Sequence, residues 1–305
     1  MTLVKKIFLF LIYPMLSFLY SFIIWINNLK KVKTEKKYYS SICAIFKNEG
    51  PYLKEWIEYY KLIGIQHIYL YNNFSSDNYL EILAPYIKSG YVTLTEWAYE
   101  QGQMSAYIHC VENFSSDCNW IGFIDLDEFI YGKNIFDFNK FLHSIEKYPV
   151  LHLNWRSYGS SNLTKRNMDC LVIEDFIYST DFFEKGKCFF NTNFKFDSNY
   201  KKNQYFHHYC WIPIGNIYVS PINVNKKFYI YPISDVFLNK SKNLNFWINH
   251  YAIKSLEEYK NRLSKGDVFY TYNPRTLETF YKLDKKCTTI NKVDKRIIEE
   301  LKRKL

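Results

Sequence analysis

Two aspartates at the end of an apolar run are the residues of this sequence best suited to metal chemistry. Residues 120 to 126 predict a buried strand, and Asp125 and Asp127 lie where it ends. Because side chains alternate along a strand, we expect both carboxylates to project to the same side at its carboxyl end. Two carboxylates there can hold Mg²⁺ or Mn²⁺, and the ion can neutralise a substrate diphosphate. The alternative interpretation is a solvated Asp-x-Asp turn.

The elements that must position this pair alternate between strand and helix as far as residue 130. Apolar runs predict strands at residues 38–46, 65–71, 91–97 and 120–126, and helical spacing predicts helices at residues 52–63 and 103–113 and one that ends near residue 90. This alternation favours an α/β fold whose mostly parallel sheet is flanked by helices. From about residue 150 the pattern is patchier, and we expect an α+β half that lines an acceptor site.

Composition indicates a folded chain whose positive charge lies at its two ends. The 305 residues are 48% hydrophobic and 20% aromatic, which excludes collagenous and wholly disordered proteins. Residues 1 to 37 carry a net charge of +6 and residues 282 to 305 one of +5, which leaves −1 of the total +10 for the body. This distribution favours a surface that faces anionic lipid, with no nucleic-acid partner.

The N-terminal segment predicts a membrane anchor. Residues 7 to 26 contain no charged side chain, which is long enough to span a bilayer, and lysines flank the stretch on both sides. A helix lying in the membrane interface is the alternative. More lysines follow the segment than precede it, which places the body on the cytoplasmic face.

The resulting organisation has four parts. We predict a membrane-anchor helix at residues 1–29, a basic linker at 30–37, a catalytic domain at 38–266, and a C-terminal basic helical tail at 267–305. The tail is amphipathic, so it docks on the body or lies on a membrane. The seven cysteines include no C-x-x-C pair, and we expect them to be reduced and mostly buried.

Three ordered motifs carry a resemblance to a known family. They are Asp125-Leu-Asp-Glu-Phe129, Lys47-Asn-Glu-Gly-Pro-Tyr-Leu-x-Glu-Trp56 and Tyr71-Asn-Asn-x-Ser-x-Asp77. Together they resemble glycosyltransferase family 92 and related family-2-like enzymes, and weaker downstream blocks extend the likeness to residue 266. The resemblance implies a GT-A fold and transfer of a sugar from a nucleotide-sugar donor, with Mn²⁺ or Mg²⁺ on the diphosphate.

The loops after the first two strands are the predicted nucleotide-sugar site. Asn48, Glu49, Asn73 and Asp77 leave adjacent strands and are placed to line a base-and-ribose pocket; the resemblance adds Lys187. The alternative is that Asp77 and its neighbouring serine only cap the next helix. Related sequences usually carry Asp where this chain has Asn72, which leaves the nucleobase open.

The downstream blocks supply the remaining site predictions. By the resemblance, His250 completes the metal site, although a structural histidine is the alternative. Glu174 resembles the acidic position that serves as catalytic base in many inverting enzymes. Trp155 suits stacking on a sugar and Arg156 suits pairing with phosphate, while core packing is the alternative for the tryptophan.

These predictions describe a membrane-associated, metal-dependent glycosyltransferase that uses a nucleotide sugar, which we expect to be a UDP-sugar, and a glycan or glycolipid acceptor. Two rival functions stay open at this point. One is a nucleotidyl or phosphosugar transferase on a similar sheet, and the other is a non-catalytic, membrane-tethered carbohydrate-binding protein.

Overall fold

The computed structural model describes residues 3–29, 35–194, 206–208, 211–214, 216–230, 244–264 and 270–305. Strand and helix alternate through the first part of the chain as predicted. Its elements are α1 (Leu3–Leu29), β1 (Tyr38–Phe46), α2 (Gly50–Leu62), β2 (His67–Asn72), α3 (Tyr79–Lys88), β3 (Val92–Glu96), α4 (Gln103–Phe114), β4 (Cys118–Phe123), β5 (Glu128–Gly132) and α5 (Phe138–His143).

The second part contributes longer strands among short elements. They are β6 (Val150–Ser157), α6 (Val172–Asp175), β7 (Tyr178–Ser179), β8 (Glu184–Asn191), β9 (Ile212–Ile214), β10 (Ile217–Val219), β11 (Phe246–His250), α7 (Leu256–Ser264), α8 (Leu277–Asp284), β12 (Thr289–Ile290) and α9 (Lys295–Lys302).

Eight of the described strands form one mixed sheet in the order β3-β2-β1-β4-β8-β6-β11-β5. Strands β1 to β4 pair in parallel, as do β6 and β11. Strand β8 runs antiparallel to both β4 and β6, and β5 runs antiparallel to β11. The predicted α/β class with a mostly parallel sheet is confirmed, and the antiparallel pairs all involve the region that follows β4.

Both faces of the parallel half are buried. Along β1, Ile42 and Ala44 pack into one apolar cluster, and Cys43 and Ile45 pack into a second. Alternation of side chains on a strand therefore supplies two cores from one apolar run, as a sheet covered by helices on both faces requires.

Helix α2 follows β1 and covers the first of these cores. Pro51 stands in its first turn, where a missing N–H costs no hydrogen bond. Leu53, Trp56 and Ile57 are fully buried, which confirms the predicted apolar face. The chain then leaves the helix through Gly64, whose φ of 90° is a conformation that glycine adopts without strain.

The C-terminal residues pack on the same body rather than forming a separate tail. Strand β12 pairs with β7, and α9 contacts α2. Val293, Ile297 and Leu301 are buried in the main core. The apolar face of the terminal helix is therefore covered by the body, which is the docked alternative given for the tail, and the division at residue 266 stays a prediction.

The N-terminal helix contains the one described segment long and apolar enough to cross a membrane. This segment runs from Phe10 to Leu29 with a mean hydropathy of 1.6, and only 11% of it is buried. The predicted linker at residues 30–37 lies largely outside the described residues. Of the cysteines in the described residues, all are free and all but Cys170 are buried, as expected.

A buried histidine makes the stability of this fold depend on pH. His152 on β6 stacks on Tyr229 with ring centroids 4.2 Å apart, and its Nε2 accepts the N–H of Gly186 at 3.3 Å. Burial lowers the pKa of His152 to about 3. The unfolded chain therefore binds a proton near pH 6.5 that the folded chain does not, so this stabilising contribution is present above pH 6.5 and is lost as the pH falls toward 3.

We predict that His152→Gln flattens the acid dependence of the unfolding free energy. Glutamine keeps an acceptor for Gly186 but does not titrate, so between pH 6 and pH 4 the wild type should lose about 1.4 kcal/mol per pH unit more than the variant. Urea denaturation at several pH values measures both slopes. Parallel slopes would contradict the assignment of a neutral buried imidazole.

Candidate active site

The candidate site is a cavity of about 410 Å³ at the carboxyl ends of the parallel strands. Ligands bind at this edge in open α/β sheets. Loops after β1 and β4 meet there with residues from β6, β11 and the C-terminal region. The lining side chains that bear on its chemistry are Lys47, Glu49, Gln103, Asp125, Asp127, Trp155, His207, His208, His250, Lys254, Arg262 and Arg275.

The two aspartates lie in a turn beyond β4, not on the strand itself. Both line the cavity, but the alternation of a strand does not bring them there, and their role in the site stays a prediction. The turn is fixed from the helix side: the Nε1–H of Trp56 donates to the carbonyls of Asp125 and Glu128, both at 3.1 Å. The Tyr60 hydroxyl donates to the same Glu128 carbonyl at 3.0 Å.

A buried lysine pairs with this turn. Lys187 on β8 has no exposed side-chain surface, and its Nζ lies 2.8 Å from Asp125 Oδ2 and 3.8 Å from Glu128 Oε1. Burial opposes its charge, but these carboxylates outweigh burial and raise its pKa. Burial likewise opposes ionisation of Asp125, but Lys187 outweighs it and lowers the pKa of that carboxyl. The resemblance placed Lys187 at the site. In the structure it is not among the lining residues, but it contacts Asp125, which is.

An arginine pairs with the second aspartate. Arg262 on α7 donates from Nη1 to Asp127 Oδ2 at 2.7 Å, and His250 Nε2 lies 3.6 Å from Asp127 Oδ1. Burial alone would raise the pKa of Asp127, but Arg262 and His250 hold it far below its ordinary value. Burial lowers the pKa of His250, against the opposing pull of Asp127, which favours the neutral imidazole. A neutral ring is the form that binds metals.

Three side chains of this site fit a metal ion. One donor atom each from Asp127, Glu128 and His250 lies within 4.8 Å of the others, the only such group among the described residues. Asp127 Oδ1 and Glu128 Oε1 are buried and have no hydrogen-bond partner, which is costly unless a cation takes them up. Two carboxylates and an imidazole form an acceptable set for Mn²⁺.

This set differs from the predicted one by a single residue. The two oxygens of Asp125 accept from the Tyr107 hydroxyl at 3.0 Å and from Lys187 at 2.8 Å, so both are already engaged. Glu128 takes its place in the cluster because the antiparallel pairing of β5 with β11 sets it opposite His250. Burial raises the pKa of Glu128 well above its ordinary value, and the two aspartates add to that effect.

The neighbouring residues Trp155 and Arg156 lie on opposite faces of β6. Trp155 lines the cavity, and its ring centroid is 4.6 Å from that of His250. Arg156 instead stacks over Phe183 at 4.5 Å and over Trp247 at 4.8 Å, away from the cavity. Arg156 is not among the residues that line the cavity, because adjacent side chains on a strand point apart.

The predicted nucleotide loops are tied to one another. Asn48 Oδ1 accepts the N–H of Ser76 at 2.7 Å, and Asp77 Oδ2 accepts the N–H of Gly50 at 2.7 Å. Asn73 donates to two backbone carbonyls of the loop after β3, both at 2.8 Å. These three side chains hold loops and do not line the cavity, whereas Glu49 does.

The alternative given for Asp77, a helix cap, is not observed either. Asn78 is the N-cap of α3 and makes no side-chain cap, so Asp77 bridges two loops instead. A Cβ added to Gly50 would come within 2.9 Å of Asp77 Oδ2, which explains the glycine. The loop geometry is thus set by contacts between residues 27 apart, which no local pattern predicts.

The predicted base Glu174 does not reach the cavity. It lies on α6, where its carboxylate pairs with Lys302 of α9 at 2.7 Å. Glu174 is not among the lining residues of the cavity. Spacing along the chain from Asp127 suggested the role, but the fold turns α6 toward the C-terminal helix, and we do not retain Glu174 in the site.

Sequence reasoning missed Arg262, Gln103 and the role of Glu128 in the cluster. A signal for the arginine was present: the chain contains only six arginines against 34 lysines, so each arginine stands out. Two of the six, Arg262 and Arg275, line the cavity. Arginine offers a rigid, permanently charged fork that suits carboxylate and phosphate partners.

Comparison with known families gives one match that covers most of the chain. The model of glycosyltransferase family 92 matches residues 36–301. Among curated proteins, a family 92 member of Oryza sativa subsp. japonica is 33% identical over 132 residues, which are 41% of this chain and 22% of that protein. A member from Ricinus communis is 30% identical over 137 residues, or 43% of this chain and 25% of that protein. The chain thus matches a quarter or less of the length of these relatives.

Among solved structures, similarity is distant. S. aureus TarS 1-349 gives a TM-score of 0.37 at 12% identity, over 70% of this chain and 57% of that one. The same protein in complex with UDP-GlcNAc gives a TM-score of 0.35 at 12% identity, over 55% of this chain and 48% of that one. Likeness at this level carries no information about the donor of the present chain.

We predict that Lys187→Met destabilises the protein most at high pH. The change leaves the partly exposed Asp125 and the buried Glu128 without their cation. Loss of one partner from a buried pair typically costs about 3–5 kcal/mol. Their pKa values then rise in the folded state, so the loss shrinks as acid neutralises them and grows as the pH rises.

Thermal or urea unfolding between pH 5 and pH 8 measures this loss. Lys185→Met is the matched control, because Lys185 lies two residues away on the same strand and is exposed. A loss that is equal for both variants, or independent of pH, would contradict the buried pairing.

Proposed function

The chain belongs to glycosyltransferase family 92, and from this premise we propose that it transfers a sugar from a nucleotide-sugar donor to the hydroxyl of a glycan or glycolipid acceptor. We take the donor to be a UDP-sugar. The observation that carries the proposal is the cavity itself: carboxylates, three imidazoles and four cationic side chains converge at the edge of the sheet where ligands bind.

We propose that Asp127, Glu128 and His250 hold Mn²⁺ or Mg²⁺. When bound there, the ion would neutralise charge on the donor diphosphate and so assist departure of the nucleotide. The two carboxylate oxygens that lack a hydrogen-bond partner and the neutral imidazole support this assignment. Asp125 has a different role in the proposal: its pairing with Lys187 holds the turn in place.

The cationic side chains suit an anionic donor. Arg262 lines the cavity with a third of its side chain exposed, and Lys254 and Arg275 line the same cavity. Arginine pairs with phosphate oxygens through two donors at once. We propose that these side chains position the diphosphate, with Glu49 toward the nucleoside.

We propose that the sugar of the donor lies against Trp155. Trp155 lines the cavity beside His250, and an indole face suits the apolar face of a pyranose. For inversion at the anomeric carbon, a carboxylate must take the acceptor proton. Glu174 lies outside the cavity, so the proposal does not give it this role.

A donor screen tests the function. We expect one UDP-sugar, among UDP-, GDP- and CMP-sugars, to release nucleoside diphosphate in the presence of Mn²⁺. Asp127→Asn should reduce this turnover by about a hundredfold or more, measured below the melting temperature of the variant, because a ligand to the ion is lost. Asp169→Asn, at an exposed aspartate, is the control.

The released product also separates the rival functions. From the same donors a nucleotidyl transferase would release sugar 1-phosphate and a phosphosugar transferase would release nucleoside monophosphate, whereas a carbohydrate-binding protein would turn over no donor. Full activity of Asp127→Asn would refute the metal assignment while leaving the transferase open.

Substitution of His250 distinguishes a metal ligand from a structural histidine. We predict that His250→Ala raises the Mn²⁺ concentration for half-maximal rate by about 10- to 100-fold, and that excess Mn²⁺ partly restores the rate. His208→Ala is the matched control, because His208 lines the cavity but is not in the cluster.

The measurement is activity against Mn²⁺ concentration for the three proteins. If His250 is structural, its variant loses stability by about 1–3 kcal/mol and keeps the wild-type midpoint. An unshifted midpoint would remove His250 from the proposed metal site.

A further inference from the structure

Helix α1 lies against the body along much of its length. In the first half of the helix the Tyr13 hydroxyl donates to the Phe228 carbonyl at 3.1 Å. Near the end of the helix Asn28 Nδ2 donates to the Lys147 carbonyl at 2.9 Å. Between them Tyr20 and Ile24 are only 4% and 2% exposed. At about 1.5 Å per residue these contacts extend over roughly 22 Å, most of the thickness of a bilayer's hydrocarbon core.

The opposite side of the helix carries an unpartnered apolar stripe. Its members recur every three or four residues, each is at least 49% exposed, and they are Leu11, Met15, Phe18, Phe22, Trp25 and Leu29. That spacing places them on one face of an α-helix, away from the face that meets the body. The hairpin of β9 and β10, which contacts α1 through β9, adds the exposed side chains Ile217 and Tyr218.

Positive charge borders this surface at both ends. In the sequence, Lys5 and Lys6 precede the stripe and Lys30, Lys31 and Lys33 follow it. On the body, Lys147, Lys226 and Lys227 are exposed beside the two points where α1 is bonded. A bilayer surface with anionic headgroups complements such a rim around an apolar stripe.

A helix that spans the bilayer does not fit these contacts. If the helix spanned the bilayer while docked, the body and its exposed lysines would enter the hydrocarbon core. If the helix instead separated from the body, Tyr20 and Ile24 would lose their contacts with it. Spanning would also send the two groups of lysines to opposite sides of the membrane. Binding in the plane of the surface keeps the docking contacts and places all the lysines at one headgroup layer.

We propose that α1 binds an anionic membrane surface in its plane, with the apolar stripe among the acyl chains and the body still docked on its other side. This inference rests on the predicted membrane association and on the proposed function, and it changes the geometry: the residues before the apolar stripe lie on the same side of the bilayer as the cavity. An acceptor carried by a lipid would then be presented to the cavity from the leaflet that α1 occupies.

The test is labelling of cysteines in the full-length protein bound to sealed vesicles. Cys170 and Cys210 are first replaced by serine, since Cys170 is partly exposed and Cys210 lies outside the described residues. Lys6→Cys then reports the segment before the stripe, and Lys227→Cys reports the body. Each variant is added to preformed phosphatidylcholine vesicles that contain phosphatidylserine and is treated with a membrane-impermeant maleimide, before and after detergent.

We expect both cysteines to react to the same extent before detergent is added. If Lys6→Cys reacts only after detergent, the helix spans the bilayer and the inference is wrong. If the protein does not bind the vesicles, the inference is wrong as well. Donor turnover by the same preparations in detergent is measured separately, so loss of the proposed enzymatic function is distinguishable from failure of this membrane geometry.

Discussion

The rest of the site depends on one interaction, the pairing of a buried ammonium group with the carboxylates that face it. Lys187 has no exposed side-chain surface, so its charge is tolerated only because Asp125 and Glu128 face it. That pairing requires β8 to run beside β4, as it does in the antiparallel part of the sheet. It also requires the turn after β4 to stay in one conformation.

Contacts from other elements keep that turn in place. The indole of Trp56 and the hydroxyl of Tyr60 bind its carbonyls from α2, and the N–H of Tyr251 donates to the Asp127 carbonyl at 2.8 Å. The same Tyr251 follows His250, so one backbone hydrogen bond fixes the distance between the imidazole and the aspartate. The site is therefore assembled by rigid elements from both halves of the chain, which is how positions are held to fractions of an ångström.

The charges of the site are nearly balanced before any substrate is considered. Lys187 pairs with Asp125 and Glu128, and Arg262 pairs with Asp127. One oxygen of Asp127 and one of Glu128 nevertheless have no hydrogen-bond partner. A cation at those oxygens would satisfy them. It would also weaken the hold of Asp127 on Arg262, whose side chain is partly exposed to the cavity and suited to phosphate.

The sequence predicted what depends on local pattern. Alternating apolar runs predicted the α/β class, and the acidic pair after an apolar run pointed to residues that line the candidate cavity, since both features reside in a few consecutive residues. Predictions that depended on distant contacts fared differently. Glu174 pairs with Lys302 and Arg156 faces Phe183, because the path of the chain beyond residue 150 decides which side chains reach the cavity. Arg262 was missed for the same reason, as its partner lies 135 residues away.

The central claim is that a divalent ion sits between Asp127 and His250 and meets the donor diphosphate. Crystals of the protein grown with Mn²⁺ and UDP, with anomalous data collected at the manganese edge, test it most directly. The account predicts one anomalous peak within coordination distance of Asp127 Oδ1 and His250 Nε2, at about 2.0–2.3 Å, with a diphosphate oxygen on the same ion. Bound UDP whose diphosphate contacts Arg262 and other side chains with no anomalous peak at the cluster would contradict it.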